Sequence, residues 1–285
     1  MFDLPEIGFS PYFEKQLQSD AADGAIPARI AAEHRGAYEV WAAAGTGMAQ
    51  LAGRLLRDPG GETPPGVGDW VSLKAPPAHG STSVIERVLD RRTVFTRGAA
   101  GREARDQVVA ANVDLVFVVC GLDADYNPRR IERYLARIRA GGARPAVILN
   151  KADLCGDEAA RAAEVGSRCP GVPVHAVSAL RSEGVAAIRE RIRPGLTAAL
   201  VGSSGAGKST LVNALLGEDR MATGGVRASD GRGRHVTTRR QLVLLPGGGM
   251  LLDTPGMREL RLIGDEGIGA VFSDIDNDGD LDLVV

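Results

Sequence analysis

The chain has 285 residues and 44% hydrophobic content, enough for a core and more than one average domain, so two domains plus tails are expected. Aromatic residues supply only 4%, which predicts cores built from Val, Leu, Ile and Ala; three scattered cysteines, Cys120, Cys155 and Cys169, without CxxC spacing, exclude a disulfide framework and a Cys-based zinc site within the chain. The net charge of −2 says nothing for nucleic acid, but residues 264–285 hold seven acids and no base, leaving 34 basic against 29 acidic residues over 1–263.

The start, Met-Phe-Asp-Leu-Pro-Glu-Ile-Gly-Phe-Ser, has no basic leader, and nowhere do about 18 apolar residues run together, so a cytoplasmic protein without membrane association is expected. Residues 1–27 read as an N-terminal tail with a helix-capable segment over Pro11–Leu17. Over 28–98 the pattern becomes short apolar runs between turn residues: Ala37–Trp41, Met48–Leu56, Asp69–Leu73, Ser83–Leu89 and Thr93–Thr96. Five short strands at this spacing predict a small β-barrel, with the OB-fold as first choice and an SH3-like barrel as the alternative.

From Asn112 onward strands alternate with helices. Val113–Val119 is a continuous apolar run of the kind buried on both faces, and Arg129–Ala140 is amphipathic, with Ile131, Tyr134, Leu135 and Ile138 on one side. Strand 146–149, helix 157–165, strand 172–177, helix 183–192, strand 197–201 and helix 208–216 follow, the last stopped by Gly217. Residues 99–263 are thus expected to form an α/β domain with a doubly wound parallel sheet. Leu242–Leu245 and Met250–Leu252, joined by Pro246-Gly247-Gly248-Gly249, suit a hairpin.

Residues 202–210, Gly202, Ser203, Ser204, Gly205, Ala206, Gly207, Lys208, Ser209 and Thr210, satisfy GxxxxGK[ST] between a strand and a helix. Backbone N–H groups of such a loop surround the β-phosphate only where bulky side chains are absent, and the helix adds its positive N-terminus. Lys208 is expected to bridge the β- and γ-phosphates and Ser209 to bind Mg²⁺. The loop alone equally suits an ATPase or a nucleotide kinase.

Asn150, Lys151, Ala152 and Asp153 have the NKxD form, at the carboxyl edge of a strand. Guanine offers N1–H and an N2 amine, which one Asp153 carboxylate accepts together; Asn150 is expected at the purine's other edge and the Lys151 stem over its face. Adenine has no such donor pair. Ser178 and Ala179, at the end of the next strand, match the motif whose backbone contacts guanine O6. These guanine-reading parts lie upstream of the phosphate loop, the order produced when a domain's ends are joined and a new opening is cut.

Asp253-Thr254-Pro255-Gly256 supplies the remaining expected parts: a carboxylate for Mg²⁺ and the Gly256 N–H for the γ-phosphate. Between the phosphate loop and this motif, Gly231–Arg240 is a candidate switch, with Thr237, chosen over Thr238, as a Mg²⁺ ligand. Met257 follows Gly256 where Ras-like GTPases carry a water-orienting glutamine, so His235 is the candidate catalytic group, and slow intrinsic hydrolysis accelerated by a partner is expected. Only four lysines occur, Lys15, Lys74, Lys151 and Lys208, and two of them fall in nucleotide motifs, where an ammonium point charge has a use that arginine does not meet.

Taken in order, Gly68-Asp69-Trp70-Val71, Ala110-Ala111-Asn112-Val113-Asp114, Asn150–Asp153, Gly202–Thr210, Gly231–Thr238 and Asp253–Leu260 make the chain resemble the RsgA/YjeQ family of circularly permuted GTPases over about residues 28–263. The resemblance implies an N-terminal OB-fold, a permuted G domain, GTP with Mg²⁺, and hydrolysis stimulated by the small (30S) ribosomal subunit during late assembly. The subunit and its rRNA would be the partners of a monomeric factor. Arg91, Arg92, Arg97, Arg232 and Arg234 are the candidate rRNA contacts, with a solvated surface as the alternative for the first three.

The resemblance implies a C-terminal zinc-binding domain, but no cysteine follows Cys169 and residues 264–285 are acidic, so an acidic tail in its place is the expectation for this chain. Asp274, Asp276 and Asp278, with Gly279, have the spacing of a calcium loop, but no EF-hand glutamate closes it, so a solvated tail is preferred over a weak Ca²⁺ site. Two rival readings stand beside the ribosome-assembly GTPase: another P-loop ATPase or nucleotide kinase, and a nucleotide-gated RNA-binding module with negligible turnover.

Overall fold

The structure, a computed structural model, describes residues 1–18, 24–57, 64–78, 80–97, 107–218, 240–253, 272–273 and 282–283. Helix α1 spans Pro11–Gln18, and five strands build a closed barrel: β1 (Ile26–His34), β2 (Ala37–Ala42), β3 (Gly45–Leu51), β4 (Trp70–Leu73) and β5 (Thr82–Val88). Their order is β1-β2-β3-β5-β4, with β4 returning to β1, and only β3 and β5 run parallel. This is the closed Greek-key circuit of an OB-type barrel.

Two sequence expectations change here. The run Met48–Leu56 is not one strand, because β3 ends at Leu51 and Gly53–Arg57 turns into the short helix α2. The fifth barrel strand is β1 and not Thr93–Thr96; the latter segment becomes β6 (Val94–Arg97), which pairs antiparallel with β7 (Gln107–Ala111) in a separate ribbon. β1 carries Pro27 and the charged Arg29, which interrupt the apolar run, yet Ala28, Arg29 and Ile30 are all buried.

Downstream lie β8 (Leu115–Gly121), α3 (Pro128–Ala140), β9 (Arg144–Asn150), α4 (Glu158–Arg168), β10 (Val174–Ala176), α5 (Val185–Arg189), β11 (Thr197–Val201), α6 (Lys208–Leu216), β12 (Gln241–Leu244) and β13 (Met250–Asp253). The order β10-β9-β8-β11-β13 is parallel throughout, and β12 joins β13 antiparallel as the expected hairpin. Asn127 starts α3 by accepting a hydrogen bond from the Arg130 N–H at 3.0 Å, with Pro128 in the first turn, and Ile131, Leu135 and Ile138 then form its buried stripe. One face of the sheet packs on α3 and α4 through Val116, Val118, Cys120, Val147 and Leu149; the other packs on α5 and α6 through Phe117, Val119, Ile148, Ala198 and Leu200. The sheet is therefore doubly wound, as its alternating pattern predicts.

Barrel and sheet are continuous, since Ala32 of β1 pairs with Gln241 of β12. The N-terminal segment plugs this junction. Phe2 stacks on Trp41 at 5.1 Å, Phe9 meets Trp70 edge-on at 4.9 Å, and Phe13 lies 5.7 Å from Trp70. The few aromatics are thus concentrated where a tail was expected. Arg29 lies among them, 1% exposed, donating to the Ile7 carbonyl at 2.6 Å, the Gly68 carbonyl at 3.3 Å, the Asn112 carbonyl at 3.2 Å and Thr197 Oγ1 at 2.7 Å. Burial pushes its pKa down to about 10, still charged at neutral pH. Among the described residues no helix is long and apolar enough to cross a membrane.

Candidate nucleotide site

Parallel strands deliver their carboxyl ends to one edge, and the sequence motifs sit there: Asn150 closes β9, Ser178 and Ala179 follow β10, the glycine-rich loop follows β11, and Asp253 closes β13. β11 lies between β8 and β13, so the loop is central.

The loop requires its glycines. Gly202 has φ 144°, and a Cβ there would stand 2.1 Å from the Val119 carbonyl oxygen of the neighbouring strand. Gly207, at φ 89°, would place a Cβ 2.2 Å from Asn150 Nδ2. Gly207 is the N-cap of α6 and no side chain caps that helix, so its first-turn N–H groups are oriented for an anion. Lys208 Nζ folds over the loop, donating to the carbonyls of Gly202 at 2.8 Å and Ser203 at 2.5 Å. Ser204 and Gly205 are exposed at the tip, Ala206 is buried, and Ser209 and Thr210 are half-buried in the first turn of α6.

The guanine-reading motifs are locked to this loop by one side chain. Asn150 is 2% exposed; its Nδ2 donates to the Ala206 carbonyl at 2.9 Å and its Oδ1 accepts from the Ala179 N–H at 3.0 Å. The sequence pattern puts this amide at a purine edge; in the structure it joins three motifs. Lys151 adopts the left-handed conformation, φ 65°, and its ammonium pairs with Asp123 at 2.6 Å, which holds the Asp123 carboxyl below the usual range. The Ala152 N–H donates to the Val177 carbonyl at 3.0 Å. Asp153 accepts from the buried Ser178 hydroxyl at 2.6 Å, a bond that lowers its pKa and keeps it ionised.

Asp125 is a site residue that no sequence motif marks. It lies in the loop after β8, accepts the Gly121 N–H at 3.1 Å, pairs with Arg130 at 2.5 Å, and receives the Ser203 hydroxyl at 2.6 Å on either oxygen. A carboxylate four residues beyond a strand end is the only signal it leaves in sequence, and that signal is common.

The arginines split. Arg91 forms a two-pronged pair with Asp69, both N···O distances 2.8 Å, and Asp69 is fully buried, where it also accepts the Gly66 N–H at 2.8 Å. Burial pushes the Asp69 carboxyl up and the Arg91 guanidinium opposes that shift. Arg92 pairs with Asp114 at 3.1 Å and lies 5.4 Å over the Phe13 ring. Both are candidate rRNA contacts in the sequence, with a solvated surface as the alternative; in the structure Arg91 braces the barrel through Asp69, and Arg92 lies between Phe13 of α1 and Asp114 at the entry to the G domain. Arg97 closes β6. Asp253 is at the end of β13, beside β11 through the Ala199–Leu252 pairing. Its side chain, and Arg232, Arg234, His235, Thr237, Gly256, Asp274, Asp276 and Asp278, lie outside the described residues.

Ser209, on the first turn of α6, and Asp253, whose backbone closes the adjacent strand, are oxygen-bearing residue types, a chemistry that suits Mg²⁺. Among the described residues no cluster of three or more His, Cys, Asp or Glu could hold another metal.

Known proteins resemble this chain over most of its length. The small ribosomal subunit biogenesis GTPase RsgA of Opitutus terrae is 46% identical over 269 residues, covering 92% of this chain and 73% of that protein. Its counterpart in Xanthomonas oryzae pv. oryzae is 48% identical over 260 residues, covering 88% and 69%. Among solved structures, YjeQ from Thermotoga maritima superposes with a TM-score of 0.63 at 22% identity, over 90% of this chain and 89% of that one. YloQ, a circularly permuted GTPase, gives 0.59 at 19% identity, over 83% and 73%. These two likenesses speak for the permuted fold. Residues 88–263 match the model of the RsgA GTPase family, and with the motif order and the close relatives this places the chain in that family: it belongs to the RsgA GTPases.

Proposed function

We propose that this GTPase acts in late assembly of the small ribosomal subunit, binding the subunit through rRNA and hydrolysing GTP faster when bound. The reading rests on the family, on relatives named for small-subunit biogenesis, and on one observation above the others: a single buried amide, Asn150, ties the phosphate loop to both guanine-reading segments.

In this reading the glycine loop and Lys208 hold the β- and γ-phosphates, Asp153 accepts the two guanine donors, and Ser178 aims that carboxylate. Lys208 would exchange carbonyl oxygens, those of Gly202 and Ser203 among them, for phosphate oxygens, which are stronger partners for an ammonium. Mg²⁺, when bound, neutralises charge developing on the phosphates; Ser209, Asp253 and Thr237 are the residues that would hold it. His235 is proposed to position the attacking water, since Met257 cannot. Arg232 and Arg234 are proposed for rRNA, while Arg91 and Arg92 serve first as junction residues. The organisation proposed is an N-terminal segment over 1–27, a barrel region over 28–98, the G domain over 99–263 and an acidic segment over 264–285.

GTP hydrolysis measured with and without purified small subunits, with Lys208→Ala as the blank, tests the proposal. Stimulation of about tenfold or more, lost in the variant, is the expected result. Turnover equal with and without subunits would overturn the assembly role and leave the GTPase standing.

A further inference from the structure

At the amino-terminal edge of the parallel sheet, opposite the nucleotide loops, lies a cavity of about 760 Å³. Its apolar wall comes from Leu115, Pro145, Val172, Pro173 and Leu196, and around it stand Arg139, Arg144, Arg191 and Arg193, with His175 and a single carboxylate, Glu190. The strands between this edge and the motif edge, β8 and β9, are seven residues long, so the cavity and the phosphate loop are about 20 Å apart.

Several arginines elsewhere in the same domain are paired, whereas Arg129, Arg133 and Arg181 have no ion pair among the described residues. Arg130, Arg161 and Arg168 each have a carboxylate partner within 3.7 Å, and Arg189 donates to backbone carbonyls. Among the described residues none of the four around the cavity has an ion pair. Two polar atoms of residues in its lining, Arg191 Nε and His175 Nε2, are buried without a hydrogen-bond partner, and an occupant would reach them only if those side chains turned toward it. The carboxyl ends of α3 and α5 place partial negative charge near Arg139 and Arg191, which offsets only part of the surplus.

We infer that this cavity is a second anion site that takes the phosphate groups of a nucleotide-sized ligand. Its volume falls within the range of small-molecule pockets, roughly 300–1,000 Å³. Guanidinium forks at the rim suit phosphate oxygens, and the Pro145, Pro173 and Leu196 surface suits a flat base or sugar. Free nucleotides and single-stranded RNA offer the same chemistry. Pre-emption by the G-site is avoided because Lys208 and Asp153 lie at the opposite edge.

The test uses the full chain saturated with GDP and Mg²⁺, so that the G-site is filled. Pyrophosphate, AMP and a ten-nucleotide single-stranded RNA are titrated separately by calorimetry, against wild type, Arg144→Ala/Arg191→Ala, and Arg161→Ala on α4 as a control. Saturable one-to-one binding of pyrophosphate or AMP, weakened at least tenfold by the double substitution and unchanged by Arg161→Ala, with GDP affinity within twofold of wild type, is the expected result. RNA binding that is weakened likewise and displaces pyrophosphate assigns the phosphate source to a nucleic-acid strand and keeps the site. No saturable binding of any of the three, or binding indifferent to the double substitution, overturns the inference. Single Arg144→Ala and Arg191→Ala variants, each checked for a wild-type melting transition, guard against a folding artefact; if neither weakens binding, the inference also fails.

Discussion

Asn150 Nδ2 and the Ala206 carbonyl oxygen, 56 residues apart in sequence, are joined by a buried hydrogen bond of 2.9 Å, and the other end of the same amide accepts from Ala179. A purine-contact role predicts that substitution affects GTP affinity alone; a bolt predicts that it also loosens the protein. Asn150→Asp keeps the acceptor but sets a carboxylate against a carbonyl. It should weaken GDP binding by more than tenfold and lower stability by about 2–3 kcal/mol, because a buried carbonyl loses its donor and a charge is left unpaired. Fluorescent-nucleotide titration and urea unfolding of the nucleotide-free protein check both parts; unchanged unfolding would leave Asn150 a ligand alone.

The glycines of the phosphate loop make unequal demands. A Cβ at Gly202 has no room beside the Val119 carbonyl, whereas a Cβ at Gly205 would meet no atom within 4 Å among the described residues beyond its chain neighbours. Both have positive φ, so Gly205→Ala carries only the left-handed strain of about 1–2 kcal/mol. GDP affinity should therefore fall at most several-fold in Gly205→Ala and by more than a hundredfold in Gly202→Ala. Equal losses would mean that backbone conformation, and not the clash with β8, governs the loop.

Much of the site was legible because its chemistry is local. Glycines, Lys208, Asp153 and Ser178 sit in contiguous motifs directly after apolar runs, and the period of those runs reports the strands. What failed was non-local. β1 was hidden because Arg29 and Pro27 break its apolar pattern, and Arg29 is tolerated there only because four acceptors from distant segments converge on it. Thr93–Thr96 does form most of a strand, but nothing in it says that its partner is β7 and not the barrel. Arg91 looked like a free surface cation for the same reason: its partner, Asp69, is 22 residues away.

Arg91 and Arg92 separate structure from RNA contact. The Arg91–Asp69 pair is two-pronged around a fully buried carboxylate, so Arg91→Ala leaves that charge without its main partner and should cost about 3–5 kcal/mol. The half-exposed Arg92–Asp114 pair should be worth about 1 kcal/mol or less. Thermal unfolding of the two alanine variants, compared with their binding to small subunits, distinguishes the roles. A stable Arg91→Ala protein with impaired subunit binding would restore Arg91 to the rRNA surface.

Acidification should weaken the fold through His175. Burial and the neighbouring Arg191 push its pKa below 6.5, so between that value and its folded pKa the unfolded chain binds more protons than the native one. Stability is therefore fully present above pH 6.5 and declines as pH falls through this window. His175→Gln should flatten that limb in urea unfolding between about pH 5 and 7.5. Identical slopes in variant and wild type would show that other groups carry the acid loss.

Arg29 supplies the sharpest test of how barrel and G domain are coupled. Its guanidinium reaches the Ile7 carbonyl in the N-terminal segment, the Gly68 carbonyl in the barrel, and Thr197, the first residue of the strand that leads into the phosphate loop. Arg29→Met preserves most of the volume and the contact with Trp70 but withdraws every donor, leaving buried acceptors unanswered. The expected loss is about 3 kcal/mol or more in urea unfolding. Thr197→Val removes one acceptor, so the double variant should be less unstable than the two single losses predict, by about 1 kcal/mol. GDP affinity should fall in Arg29→Met although the residue is far from the nucleotide, because β11 loses its anchor at the end opposite the loop. Strict additivity, together with wild-type affinity, would show that the barrel merely adjoins the G domain and that the buried guanidinium carries no coupling.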